Sequence, residues 1–130
     1  MDKRRLYRVQ AEIQRIVSEL LIEGLKDPRI DKMTSVSKVE LSNDTSLATI
    51  YFSIYGSKKT KEDTLDALEN AKGYIRSRLA KVLEIRQVPE LRFKIDESVE
   101  YSIEIQKILN KLNLDNEAKA DEELEEDEEK

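Results

Sequence analysis

Arg4, Arg5 and Arg8 crowd the start of the chain, and Lys72, Arg76, Arg78 and Lys81 follow one another from residue 72 onward. Repeated guanidinium and ammonium groups are suited to phosphates, whose oxygens accept several charge-assisted hydrogen bonds at once. The second cluster has a sharp boundary. Residues 58–71 hold three lysines against four carboxylates, whereas residues 72–86 hold five cations against one. Gly73 stands at that boundary, inside the stretch LENAKGYIRSRLAKVL, whose apolar spacing is helical. A glycine inside a helix costs about 1 kcal/mol relative to alanine. Two explanations are open. One is that the helix breaks at Gly73, so that amides near Tyr74, Ile75 and Arg76 face outward as an anion site flanked by Lys72 and Arg76. The other is that the missing side chain only lets two helices turn or cross closely.

Other chemistry is poorly supplied. The chain has neither histidine nor cysteine, which removes imidazole bases, thiolate nucleophiles, disulfides and Cys/His zinc sites. Carboxylate pairs such as Glu62/Asp63 and Asp96/Glu97 are present, but acids at a helix entry have a simpler role, a favourable interaction with the positive end of the helix dipole. YGSKKT at 55–60 lacks the first glycine and the Gly-Lys-Ser/Thr ending of a phosphate loop. Arg29 in DPRI can pair with Asp27 or Asp31, or touch RNA. No metal or organic cofactor is implied.

The elements that must carry these residues follow from periodicity. Leu6, Val9, Ile13, Ile16, Val17, Leu20 and Leu21 recur every three or four positions, so residues 3–25 read as a helix with Asp2 as its N-cap. Residues 33–41 and 47–55 read as two strands about the turn SNDTS. In the second, Ala48, Ile50, Phe52 and Ile54 alternate with Thr49, Tyr51, Ser53 and Tyr55. The second set, with Arg92 and Lys94, is a possible base-stacking face that lacks the aromatic pattern of RNA-recognition sheets. Residues 61–85 read as a helical region capped by Thr60, LRFKID at 91–96 as a third strand, and SVEYSIEIQKILNKL as a last helix capped by Ser98. A helical crossover between strands two and three predicts a parallel pair. The class is α+β, with helices packed on one face of a three-stranded sheet.

The chain of 130 residues divides by composition. Residues 113–130 hold ten acidic and two basic side chains and read as a disordered acidic tail. Residues 1–112 hold 21 basic and 18 acidic ones, so a body of net charge +3 lies under a chain total of −5. No apolar run is long enough to span a bilayer, and no apolar stretch follows MDKRRLYRV as a secretory signal requires. The sequence reads as cytoplasmic, and a monomer is assumed.

These segments together resemble the bacterial ribosome-binding factor A family. RRLYRVQAEIQRIVSELL with LKDPRI is similar to the family's first helix and Asp-Pro-Arg turn. SVSKVELSNDTSLATIYFSIYG is similar to its strand pair. ALENAKGYIRSRLAKVLEIRQVPELRFKIDESVEYSIEI is similar to its kinked helix pair, third strand and closing helix, with Ala71, Lys72 and Gly73 matching an Ala-x-Gly kink. The resemblance implies a type II KH-like domain over residues 1–112, without the first glycine of the GXXG clamp used by ordinary KH domains. It also implies a factor, not an enzyme, that binds the free small (30S) ribosomal subunit. Such a factor assists late maturation and processing of 16S rRNA near its 5′-terminal helix, matters most in the cold, and is released with the help of an assembly GTPase. Arg4, Arg5, Arg8, Ala71, Lys72, Gly73, Arg76, Arg78 and Lys81 are the expected RNA contacts. The alternative is a generic KH-like RNA-binding or protein-interaction module with no dedicated ribosomal role.

Overall fold

The computed structural model describes residues 2–98 and 103–116. The chain divides after Asp96 into two units. The first runs α1 (Lys3–Glu23), β1 (Ser35–Leu41), β2 (Leu47–Ser53), α2 (Lys58–Asn70), α3 (Lys72–Val82) and β3 (Glu90–Ile95). In the second, residues 103–116 form a helix, α4, on which Ile105, Ile108, Leu109 and Leu112 share one stripe by their spacing. Residues 113–116, placed in the tail by composition, are the last turn of α4. The expected cap at Ser98 adjoins residues 99–102, which lie outside the described residues. So do residues 117–130, and with them most of the expected tail.

The sheet order is β1-β2-β3, with β1 antiparallel and β3 parallel to β2. The parallel pair runs in register from Leu47 opposite Glu90 to Phe52 opposite Ile95, as the helical crossover requires. In β1 the inward residues are Val36, Val39 and Leu41, because an irregularity between Val36 and Lys38 inserts Ser37 as an extra residue. The Ser37 hydroxyl group donates to Asp96 Oδ2 at 2.7 Å and lies 3.3 Å from the Tyr51 carbonyl.

One face of the sheet carries the core. Ala48, Ile50, Phe52, Leu91 and Phe93 meet Leu6, Val9, Ile13, Ile16, Val17 and Leu20 of α1, together with Leu68, Ile75, Leu79 and Leu83. Each fully buried side chain of this kind contributes roughly 1.5–3 kcal/mol before the entropy of ordering is set against it. Phe52 and Phe93 pack edge to face, with ring centroids 5.2 Å apart. The opposite face is polar, as the alternation predicted.

Local signals set the ends of the helices, with two departures from expectation. α1 stops at Gly24, whose φ of 88° is left-handed and costs a glycine little. α2 begins three residues earlier than predicted. Ser57, not Thr60, is its cap, and Ser57 Oγ accepts from the Thr60 amide at 3.2 Å. Thr60 lies on the first turn, where its hydroxyl is 3.0 Å from that of Ser57. Asp2 holds the cap position of α1, but its side chain makes no cap bond.

Candidate functional site

The helical crossover is divided, but at Ala71 and not at Gly73. The Ala71 amide is shared between the carbonyls of Ala67 and Leu68, each at 3.1 Å, which tightens the last turn of α2. Ala71 then serves as the N-cap of α3, and the Ile75 amide donates to its carbonyl at 3.0 Å. The first-turn amides of α3 are therefore those of Lys72, Gly73 and Tyr74, whereas the amide of Ile75 is already paired. Gly73 has no positive φ, so its backbone conformation does not require glycine. A Cβ built on it would meet nothing within 4 Å, so no helix crosses closely there either. What the missing side chain leaves is open backbone on the first turn of α3.

That backbone lines a shallow open groove of about 540 Å³, together with Arg76, Ser77 and Ala80 of α3 and Arg86 and Gln87 of the loop leading to β3. The groove exists because Arg76 holds the loop. Its guanidinium donates through Nε to the Pro89 carbonyl at 3.3 Å and through Nη2 to the Val88 carbonyl at 3.2 Å. Arg76, expected to meet phosphate, commits two of its five N–H donors to these carbonyls and stays exposed beside the groove. Lys72 is likewise engaged. Its Nζ lies 2.6 Å from Glu69 Oε2 and 4.9 Å from the centre of the Phe93 ring, a salt bridge and a cation–π contact that tether α3 to α2 and the sheet.

The remaining expected residues scatter. Arg78 is half-buried, and its Nε is buried with no partner among the described residues. Lys81 is exposed in the last turn of α3, where a cation suits the negative end of the helix dipole. Arg4, Arg5 and Arg8 are exposed at the start of α1. That helix end has no side-chain cap bond and no acidic residue in its first turn, so the Asp2 carboxylate at the N-cap is the acidic group nearest to it in sequence. Arg86 and Ser77 were not singled out by sequence. The signal for Arg86 was its place in the charge step; Ser77 had none.

Other candidates are absorbed by structure. Asp27 grips the Arg29 guanidinium at 2.8 Å, and these bonds hold the Asp27 carboxyl below its ordinary range. The same loop is pinned by buried Thr64, whose hydroxyl donates to the Arg29 carbonyl at 3.0 Å and accepts from the Asp31 amide at 3.4 Å. On the polar sheet face, Lys38 Nζ lies 4.4 Å from the centre of the Tyr51 ring, so this ring is not an open stacking platform. Asp96 accepts from Ser37, which gives that carboxylate a structural role. Among the described residues there is no cluster of three or more acidic, His or Cys side chains able to hold a metal, and no helix long and apolar enough to cross a membrane.

Comparison with known proteins agrees with this architecture. The model of the ribosome-binding factor A family matches residues 5–109. A ribosome-binding factor A from Syntrophomonas wolfei is 44% identical over 113 residues, covering 86% of this chain and 93% of that protein. The crystal structure of ribosome-binding factor A from Thermus thermophilus superposes with a TM-score of 0.61 at 28% identity, over 69% of this chain and 93% of that one. A homology model of the Thermus thermophilus protein, fitted into a cryo-EM map of a 30S complex, superposes with a TM-score of 0.56 at 28% identity, over 68% of this chain and 91% of that one.

Proposed function

Because this chain belongs to the ribosome-binding factor A family, we propose that it is a ribosome biogenesis factor that binds the free 30S subunit and assists late maturation of 16S rRNA near the 5′-terminal helix. The reading includes RNA processing support without enzymatic activity, action in the cytoplasm, a greater need in the cold, and release aided by an assembly GTPase. The Thermus thermophilus relative fitted into a map of a 30S complex supports the choice of partner.

The observation that carries the mode of contact is the open groove at the start of α3. An RNA backbone laid across Gly73 meets first-turn amides at the positive end of a helix, and no side chain holds it away. Arg86 supplies the charge beside it. Ser77 and Ala80 are small, so the groove floor admits a sugar-phosphate chain. Arg76 and Lys72 act one step removed: Arg76 fixes the loop that bears Arg86, and Lys72 fixes the start of α3 against Glu69 and Phe93. Such a surface reads backbone shape and charge more than base identity. It suits a factor that holds one conformation of a maturing RNA.

The test is co-sedimentation of purified protein with purified 30S subunits, 50S subunits and 70S ribosomes. Ser77→Glu with Ala80→Glu places negative charge in the groove and leaves the Arg76 and Lys72 side chains in place. The expected result is wild-type association with 30S alone, lost in the double variant at unchanged melting temperature. A wild-type protein that ignores 30S, or a double variant that binds normally, overturns the reading.

A further inference from the structure

A second open concavity, of about 600 Å³, lies where the first turn of α1, the β1–β2 turn and the α3–β3 loop converge, and it is lined by Arg5, Thr45, Ile85, Arg86 and Gln87. We propose that it is a single-phosphate clamp, in which the guanidinium groups of Arg5 and Arg86 grip one phosphate of the RNA strand lying in the α3 groove. The inference rests on the RNA-binding reading above and adds a specific site to it.

The lining has the chemistry of an anion site. Two arginines, a glutamine and a threonine line the space beside Ile85, and no acidic residue does. Several cations elsewhere in the domain have partners within the fold. Arg15 pairs with Glu12 and Glu19, Arg29 with Asp27, Lys72 with Glu69, and Arg76 with two carbonyls. Arg5 and Arg86 have no hydrogen bond or ion pair among the described residues. Folding therefore brings two guanidiniums without protein partners among the described residues from distant parts of the sequence to one concavity. A planar guanidinium forks onto the two anionic oxygens of a phosphodiester, and the spare lone pairs of those oxygens can accept from a second guanidinium.

The concavity adjoins the α3 groove, since Arg86 and Gln87 line both. A strand leaving the groove past Arg86 would enter the concavity that Arg5 also lines. Thr45 closes the far side at φ 62°, a left-handed conformation uncommon for a β-branched residue. Its turn is braced by the Asp44 carboxylate, which accepts from Ser42 Oγ at 2.8 Å, Ser46 Oγ at 2.7 Å and the Ser46 amide at 3.1 Å. That carboxylate is occupied within its own turn and does not line the concavity.

The test is a double-mutant cycle read by 30S affinity across a salt series, using Arg5→Ala, Arg86→Ala and the double variant, with Lys59→Ala on α2 as a control. Loss of either arginine should weaken binding about ten-fold, equivalent to about 1.4 kcal/mol. If both grip one phosphate, the double variant should be much less than a hundred-fold weaker, because the second loss acts on a contact already broken. The slope of log affinity against log salt should fall by about 0.7–0.9 in the double variant, the share of one phosphate. Multiplicative losses with about twice that slope change mean two separate phosphates and overturn the clamp. So do single variants that bind like wild type or like Lys59→Ala. A parallel titration of the full chain with inorganic phosphate at constant ionic strength follows the Arg5 and Arg86 Nε resonances. A phosphate response combined with unchanged 30S affinity in the double variant assigns the site to the free ion and also overturns the proposal. Failure of the wild-type protein to bind 30S overturns the functional reading instead, so the two failures are distinguishable. Both arginines are exposed, and unchanged melting temperatures confirm that the variants fold.

Discussion

Replacing Gly73 with alanine separates the stability of α3 from its contact with RNA. Gly73 sits in the first turn of α3 without a positive φ, and the space a methyl group would fill is empty to 4 Å. Nothing in the fold then opposes the substitution. The helical preference of alanine over glycine is about 0.5–1 kcal/mol, and a first-turn site realises the lower end. For a domain of this size, about 0.5 kcal/mol raises the melting temperature by roughly 2–4 °C. Binding should move the other way. The methyl group stands over first-turn amides, and losing a charge-assisted backbone bond to phosphate costs about 1.5–3 kcal/mol, or at least about ten-fold in affinity. Thermal melts by circular dichroism and 30S binding by sedimentation, run on one preparation, give both numbers. A lower melting temperature would show that Gly73 has a structural role the geometry does not reveal. A raised melting temperature with unchanged affinity would show that RNA does not approach this backbone, and the account of the groove would fail.

Three further outcomes are expected. Arg76→Ala should cost about 1–2 kcal/mol by releasing the Val88 and Pro89 carbonyls, and should weaken 30S binding by loosening the loop that bears Arg86; urea denaturation and binding at low temperature, where the variant stays folded, check the two effects. Thr64→Val keeps the shape but strips the buried bridge to Arg29 and Asp31, so the urea midpoint should fall by the equivalent of about 1–3 kcal/mol, with 30S affinity retained. Hydrogen bonds from Ser46 and Ser42 hold the Asp44 carboxyl at about 2, below the ordinary 3.8, so its stabilisation is present above 3.8 and lost as pH falls through about 2; Asp44→Asn should flatten the melting profile between pH 4 and 2, and an unchanged slope would contradict the bonded turn.

Much of the scaffold was legible because it depends on short-range periodicity. The stripe from Leu6 to Leu20 needs only the helical repeat, and the alternation from Ala48 to Ile54 only the pleat. The parallel pairing of β2 and β3 followed from the length of the crossover. Where two local solutions compete, the reading went astray. Ser57 and Thr60 are both good caps, and the earlier one prevails because it pairs with the later. The spacing of Val36, Val39 and Leu41, three and then two, did announce the extra residue at Ser37, but simple alternation hides it. The glycine drew the expected break to residue 73, whereas the chain divides at Ala71 through hydrogen bonding that no residue type advertises.

The sequence by itself determined the order of the elements, the apolar faces that make the core, the charge step at residue 72 and membership of the family. Each of these is written in neighbouring residues or in the pattern of the whole chain. Only the tertiary structure decided which cations are spent and which remain available. Lys72 finds the Phe93 ring, and Arg76 finds carbonyls 12 and 13 residues away, while Arg5 and Arg86 are carried to one concavity from distant parts of the sequence. The reason is range: a charge is a property of one residue, but its partners depend on the groups that packing brings near.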